Sequence, residues 1–412
     1  MKQKSPWLSV LACLVADLCI GILYVWSVLK TDAVSYYGWS DGAANLVASF
    51  MLFAFCVGNL IGGTLNDRIG PKKVSYAGVL LFCAGIFLAS CLPSGSSPVW
   101  FYITYCIIGG IGSGAAYGAI LSCIQKWFPH KRGFATGLST AAFGLGTVVF
   151  SPVIAAMLKG MEISAVLRTL SLVFVVVGVL CCTLIRQPDA AYLAALPRPA
   201  SGGVSGAHRD MTPGQAVRTV PFWCLFFSMF FYNGTWNMLN PLIKGLGMAR
   251  GLSDAAAVLC VSLTGLLNAA GRFTMASLSD RLGRVRTNVL LSILTILCAA
   301  ALITVGGYGY FAVVLLAAFA YGGPSVVNPA ACTDYFGVKF SGTNYGIAML
   351  GLGFSSLFFN AVSNALFAST GSYTMTFLLG GVSAAVSIAL LLAMERSAKK
   401  LAQEQDSRIH PS

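Results

Sequence analysis

Long apolar stretches alternate with short polar segments along almost the whole chain. Each stretch is close to the ~20 residues that a helix needs to cross the hydrocarbon core of a bilayer, and uninterrupted apolar runs of this length are typical of transmembrane helices. The pattern predicts twelve spans, numbered one to twelve in chain order: Pro6–Leu29, Ala44–Leu65, Val74–Leu92, Val99–Ile124, Gly133–Leu158, Ala165–Ile185, Val220–Ile243, Ala255–Leu278, Val289–Val305, Tyr310–Ala331, Gly342–Phe367 and Tyr373–Met394.

The composition agrees with this pattern. Hydrophobic residues make up 57% of the 412 residues, charged residues make up 9%, and the mean hydropathy is +0.79. A soluble domain has about a quarter charged residues, so we predict an all-α membrane protein that is surrounded by lipid. The first span is expected to stay in the mature chain, because its apolar run is longer than the core of a signal peptide and no cleavage site closes it.

The positions of lysine and arginine predict the orientation. If both termini are cytoplasmic, 20 of the 26 Lys and Arg residues lie in cytoplasmic segments and five lie in outside loops, as the positive-inside rule requires. The predicted location is therefore the inner or plasma membrane. The same distribution explains the net charge of +13, so no nucleic-acid partner is expected.

The residue types that would indicate an enzyme or a metal site do not cluster. The 13 cysteines are scattered without a CxxC pair or metal-ligand spacing, and the three histidines, His130, His208 and His410, lie in loops or tails. We expect no catalytic centre, cofactor or metal.

Two loops repeat along the chain. Residues 63–73 after span two recur in altered form at 276–286 after span eight, and residues 127–133 have a counterpart at 335–339. Parallel repeats of this kind build alternating-access transporters, with the substrate site between the halves. The predicted parts are an N-terminal half of residues 1–186, a cytoplasmic linker of 187–219 rich in Ala, Pro, Gly and Ser, and a C-terminal half with its tail, 220–412.

The repeated loop carries a family resemblance. Its pattern Gly-x-x-x-Asp-Arg-x-Gly, together with the twelve spans, resembles the major facilitator superfamily. The resemblance implies two pseudo-symmetric halves of six helices, and a conformational latch in which Asp67 pairs with a helix end and with facing cations in one access state. A role in topology alone is the alternative. The predicted latch residues are Gly63, Asp67, Arg68, Gly70, Asp280, Arg281 and Gly283.

Three further motifs narrow the resemblance. Tyr24-Val-Trp26-Ser27 in span one, the segment 126–133 before span five, and Asn268-x-x-x-Arg272 in span eight together resemble the oxalate/formate antiporter family and its monocarboxylate-carrying relatives. This resemblance implies that Arg272 binds the carboxylate of a small organic acid.

The residue types support a carboxylate site at Arg272. An arginine inside a span costs about 2.5–3.5 kcal/mol on insertion scales and normally faces a cavity or the bundle interior. Its guanidinium can hold a carboxylate with two parallel hydrogen bonds. Asn268 lies one turn away on the same helix face, where it could bind a second substrate oxygen. The alternatives are a structural ion pair for Arg272 and an interhelical hydrogen bond for Asn268.

Span eleven departs from the pattern of the oxalate carriers. Those carriers are expected to hold a second cation near the position of Leu352, whereas the run 346–359 has no charged residue. A dicarboxylate would then meet one cation only. A monocarboxylate is therefore favoured, with an oxalate/formate-type dicarboxylate exchanger as the alternative.

Asp17 is the only acidic residue deep inside a predicted span. Burial favours its neutral form, whereas approach to Arg272 favours its charged form. We hypothesise that Asp17 pairs with Arg272 in the empty carrier and takes up a proton when the substrate occupies the arginine. A permanent counter-ion without a transport role is the alternative.

Polar and aromatic residues predict the remaining cavity wall. Span seven places Asn233 and Asn237 on one face, which is unfavourable against lipid and should turn inward. Tyr24, Tyr117 and Tyr321 would suit an aromatic box with hydroxyls aimed at a carboxylate, although a tyrosine in a helical bundle is often part of the core.

Other transport functions fit the sequence less well. A proton-coupled drug exporter of the same superfamily would explain Asp17, but such exporters usually carry a Gly-Pro-rich motif in span five, where only Ser151-Pro152 occurs. A sugar carrier has little need for Arg272, and a receptor does not require two repeated halves. We predict a monomeric secondary transporter of a small monocarboxylate such as lactate, pyruvate or formate, working by proton symport or anion exchange.

Overall fold

A computed structural model describes residues 6–128, 132–188, 192, 210–337 and 340–409. In this part of the chain every regular element is helical. Within the described residues, ten helical segments are each long and apolar enough to cross a membrane. Spans two to six are formed by Asp41–Ile69, Pro71–Ser90, Pro98–Trp127, Arg132–Leu158 and Ile163–Leu184, and spans eight to twelve by Asp254–Leu282, Arg284–Thr304, Gly307–Phe336, Ser341–Thr370 and Thr374–Ile409.

Spans one and seven are broken helices. In span one a 3₁₀ turn separates two α-helices that are bent by 45°. Span seven is interrupted twice, once after Tyr232 and once at Asn240–Leu242. The second break follows from Pro241, which has no N–H to donate and whose ring clashes with a straight helix. The α-helical parts are Pro6–Ile20 and Trp26–Tyr37 in span one, and Val220–Tyr232, Gly234–Leu239 and Ile243–Ala249 in span seven.

Two further prolines release backbone carbonyls that then bind other spans. A proline cannot donate to the carbonyl four residues earlier. Pro324 thus leaves the carbonyl of Ala320, which accepts a hydrogen bond from the Tyr232 hydroxyl at 2.6 Å. In span five Pro152 leaves the carbonyl of Val148 for the hydroxyl of Ser262 in span eight, at 3.0 Å.

The two halves repeat the same local structure. Span two begins after the cap Ser40 and ends at Gly70 (φ 83°, ψ 159°), and span eight begins after Ser253 and ends at Gly283 (φ 90°, ψ 153°). Glycine is favoured at both ends because a side chain resists positive φ. Corresponding ion pairs, at 2.9 and 3.0 Å, join Lys30 to Asp41 and Lys244 to Asp254.

The predicted linker is described only in part, because residues 189–191 and 193–209 lie outside the described residues. Its last residues pack on the C-terminal half. The N–H of Met211 donates to the carbonyl of Phe336 at 2.9 Å, and the Asn344 amide donates to the carbonyl of Met211 at 3.1 Å. The boundaries between the halves stay a prediction.

Spans two and eleven join the halves on one face, which we call the outer face. The Asn45 amide donates to Asn364 at 2.9 Å, the Asn364 amide donates to the carbonyl of Gly42 at 3.1 Å, and the Ser356 hydroxyl donates to the carbonyl of Ser49 at 2.9 Å. These contacts lie at the start of span two and along the second part of span eleven. The outer face, which the charge distribution predicts to be extracellular, is therefore closed.

Candidate functional site

A cavity of about 420 Å³ lies between the halves, within the usual size range of small-molecule sites. Its inner end is lined by residues from the middle of the spans, and its mouth by residues beside the repeated loops. The cavity therefore opens on the predicted cytoplasmic face. Lining residues are Phe55, Tyr117, Arg272, Tyr321 and Leu352 at the inner end, and Gly63, Asn66, Asp280, Arg284 and Gly342 at the mouth.

Arg272 is buried at the inner end of this cavity, with only 3% of its surface exposed. Its Nη1 donates to the backbone carbonyl of Thr140 in span five. Among the described residues, its Nε has no hydrogen-bond partner and no acidic side chain forms an ion pair with it. A buried charge without a partner is unfavourable, so this guanidinium is suited to binding an anion.

Asp17 is fully buried in span one. Its Oδ2 accepts a hydrogen bond from the Ser139 hydroxyl at 2.5 Å, and its Oδ1 has no partner among the described residues. Arg272 acts on Asp17 electrostatically. The ion pair that we hypothesised for the empty carrier is not formed in this structure, where Asp17 instead binds the Ser139 hydroxyl and Arg272 binds the carbonyl of Thr140.

Asn268 is placed differently from the prediction. It is buried in span eight beside Gly144 of span five, and its Oδ1 has no partner among the described residues. It is not among the residues that line the cavity. Its role as a substrate ligand stays a prediction.

Aromatic side chains form much of the cavity wall. Tyr117 packs against Phe55 and Phe143, with ring centroids 5.4 and 5.1 Å apart, and Tyr321 stacks on Trp236 at 5.1 Å and 18°. Both tyrosines line the cavity, and their contact with a substrate stays a prediction. The side chain of the third candidate, Tyr24, lies outside the described residues.

Tyr345 is a cavity residue that the sequence analysis missed. It lies in span eleven, lines the cavity, and interacts electrostatically with Tyr117 and Arg272. Tyr345 lies two helical turns before Leu352, on the same face of span eleven, and this spacing could have indicated that it lines the cavity. Leu352 and Met349 of the same span line the cavity too, so span eleven presents a hydroxyl and apolar groups to the site.

The two predicted asparagines of span seven line different cavities. Asn233 lines the main cavity, and its amide donates to the carbonyl of Met229 at 2.6 Å. Asn237 instead lines a small cavity of about 10 Å³ and donates to the Ser355 hydroxyl at 3.0 Å. Of these two asparagines, only Asn233 lines the main cavity, and the substrate-binding role of both stays a prediction.

Among the predicted latch residues whose side chains are described, no ion pair joins the two halves. Arg284 pairs with Asp280 at 2.5 Å and with Asp334 at 3.0 Å, and all three belong to the C-terminal half. Arg68 and Arg281 are exposed, and the side chain of Asp67 lies outside the described residues. An open latch is expected where the cavity opens, and the latch role stays a prediction.

Comparison with known proteins places the chain in a family. Residues 9–328 match the Major Facilitator Superfamily. The chain is 25% identical over 400 residues to the oxalate:formate antiporter of Oxalobacter formigenes, covering 95% of this chain and 93% of that protein. It is 26% identical over 505 aligned positions to apicoplast pyruvate carrier 1 of Toxoplasma gondii, covering 97% of this chain and 91% of that protein.

A solved structure supports the fold. The proton:xylose symporter XylE superposes with a TM-score of 0.74 at 15% identity, over 94% of this chain and 95% of that one. Likeness at this identity concerns the fold alone, and it confirms the prediction of twelve helices in two six-helix halves. The family consists of transporters, so the chain is not an enzyme. It belongs to the major facilitator superfamily, as a multi-pass membrane transporter.

Proposed function

We propose that this transporter carries a small monocarboxylate of the lactate, pyruvate or formate type by alternating access. Arg272 binds the carboxylate at the inner end of the cavity, and Asp17 carries the proton in symport. The observation that carries the proposal is the buried guanidinium of Arg272, whose Nε has no partner and which has no ion pair in the described part of the chain.

The part of the cavity wall formed by span eleven favours one negative charge over two. Leu352 and Met349 of span eleven line the cavity, and the other described charged residues of its lining, Asp280, Arg284 and Asp334, pair with one another at the mouth. A dicarboxylate would leave its second charge against apolar groups, which is strongly unfavourable. A monocarboxylate places its carbon substituent there instead.

The relatives support an organic anion as the substrate class. One is an oxalate:formate antiporter and another is a pyruvate carrier. The first of these also favours a second mode of operation, in which one acid is exchanged for another without a net proton. The site needs residues of one chain only, so a monomer in the bilayer is sufficient.

Uptake into liposomes tests the proposal. The purified protein is reconstituted, and the uptake of labelled lactate, pyruvate, formate and oxalate is measured under an inward proton gradient, or with unlabelled acid inside and no gradient. We expect uptake of at least one monocarboxylate and weak uptake of oxalate. Stimulation by the gradient indicates symport, and stimulation only by internal acid indicates exchange.

Two results would contradict the proposal. If oxalate were the best substrate, the dicarboxylate alternative would replace it. If none of the acids entered faster than into protein-free liposomes, the carboxylate site itself would be wrong.

A further inference from the structure

Asp17 and Arg272 contact consecutive residues of one helix. The Ser139 hydroxyl donates to Oδ2 of Asp17 at 2.5 Å, and the next residue, Thr140, accepts a hydrogen bond from Arg272 through its backbone carbonyl. Ser139 and Thr140 are both fully buried. Two adjacent residues of span five therefore link Asp17 of the N-terminal half to Arg272 of the C-terminal half.

Each of the two charged side chains keeps a polar group open. Oδ1 of Asp17 and Nε of Arg272 have no hydrogen-bond partner among the described residues. The first can therefore carry a proton, and the second can donate to a carboxylate oxygen, without breaking a hydrogen bond to another described side chain.

We infer that Ser139 and Thr140 form the element that couples carboxylate binding at Arg272 to protonation of Asp17, an inference that rests on the proposed function. A carboxylate bound in the two-pronged mode takes two N–H donors of the guanidinium. Nε and Nη2 can supply both donors, while Nη1 stays on the carbonyl of Thr140 and holds the guanidinium in place. The bound carboxylate also cancels the positive charge that favours ionised Asp17. Asp17 then takes up a proton from the aqueous phase, and no covalent bond other than the O–H bonds changes.

A hydroxyl at position 139 suits both protonation states. A serine hydroxyl rotates, donating one hydrogen bond and accepting others. It can donate to the carboxylate of Asp17 before protonation and accept from the carboxyl group afterwards. Ser139 is thus a positioning residue that holds Asp17 throughout the cycle.

Few other titratable groups act on Asp17. Arg272 of span eight is the charged group that does so from a neighbouring element, and Ser139 is the polar contact from span five. On its own helix, one turn away, the thiol of Cys13 interacts with it. A change in the state of Asp17 on substrate binding is therefore expected to arise at Arg272.

Infrared difference spectroscopy tests the coupling directly. Lactate or pyruvate is added to the purified protein at constant pH, and the band of a protonated carboxyl group is assigned to Asp17 by its loss in Asp17→Asn. We expect this substrate-induced band in the natural protein and in Ser139→Thr, which keeps the hydroxyl. In Ser139→Ala it should fall by about fivefold or more, as expected for the loss of one hydrogen bond. The bond that Ser139 donates to the ionised carboxylate is stronger than the bond it accepts from the carboxyl group, so without it the carboxyl group stays protonated with or without substrate.

A matched control separates this effect from a general one. Ser151 is another fully buried serine of span five, and its hydroxyl has no hydrogen-bond partner among the described residues. Ser151→Ala should keep the band. An unchanged band in Ser139→Ala, in protein that still transports the acid, would overturn the inference and leave the proposed function standing. If the natural protein neither transported nor bound a monocarboxylate, the proposed function would fail, and the inference with it.

Discussion

Gly144 of span five and Gly265 of span eight bring the backbones of the two halves into contact. A Cβ atom on Gly265 would lie 2.5 Å from the carbonyl oxygen of Gly144, closer than non-bonded atoms approach. Because neither glycine places a side chain between the two helices, Arg272, two turns further along span eight, reaches the carbonyl of Thr140. The position of the proposed carboxylate site thus depends on this contact.

Replacing Gly265 with alanine should separate the two spans. Overpacking of this kind typically destabilises by about 1–3 kcal/mol, so we expect Gly265→Ala to lower the thermal unfolding temperature in detergent and to reduce carboxylate uptake. Gly160 provides the control, because a Cβ atom added there would have no described neighbour within 4 Å, and Gly160→Ala should behave like the natural protein. Equal stability and uptake in both variants would contradict the importance of the contact.

A second cation in span eleven should change the substrate preference. Leu352 lines the inner end of the cavity, so Leu352→Lys would offer a partner to the second carboxylate of oxalate. We expect the ratio of oxalate to lactate uptake to rise by about tenfold, since a hydrogen bond to a charged group contributes about 1.5–3 kcal/mol. Leu352→Met conserves the apolar wall and should leave the ratio unchanged. A ratio that did not rise in Leu352→Lys would argue against this wall facing the substrate.

The outer face should open more readily when the side-chain amide of Asn364 is removed. Its side chain makes two hydrogen bonds across the halves, with Asn45 and with the carbonyl of Gly42. Each contributes about 0.5–1.5 kcal/mol, so Asn364→Ala should shift the equilibrium toward the outward-facing state by roughly tenfold. Spin-label distances between the outer ends of spans two and eleven would measure this shift.

The control for this experiment is an asparagine pair inside one half. Asn288 donates to Asn328 at 2.8 Å, and both lie in the C-terminal half. Asn288→Ala removes a buried amide without touching the interface between the halves. A similar shift in both variants would mean that Asn364 acts through stability alone.

Structural features that depend on residues close together in the sequence could be predicted from it. The apolar runs predict the twelve spans, and the repeated loop predicts the matching turns at Gly70 and Gly283. Arg272 could be placed in the interior because a charge in lipid is unfavourable. Pro241 signalled the break in span seven that the structure has at Asn240–Leu242.

Features that depend on the rotation of one helix against another could not be predicted. The spacing of Asn268 and Arg272 puts both residues on one face of span eight. That face is wide enough for Asn268 to pack against Gly144 while Arg272 lines the cavity. The contact of Asp17 with Ser139 joins residues 122 positions apart. Every residue has a backbone carbonyl, so the sequence cannot show that the carbonyl of Thr140 accepts a hydrogen bond from Arg272.

Substitution of Arg272 by lysine tests the central claim most directly. Arg272→Lys keeps the charge but not the paired N–H donors, and Arg286→Lys makes the same change at an exposed arginine in the first turn of span nine. We expect monocarboxylate uptake by Arg272→Lys to fall by roughly a hundredfold, as for the loss of one charge-assisted hydrogen bond or more, with Arg286→Lys unaffected. Normal uptake by Arg272→Lys would contradict the account, because Arg272 would then be a structural partner of Thr140 rather than the carboxylate site.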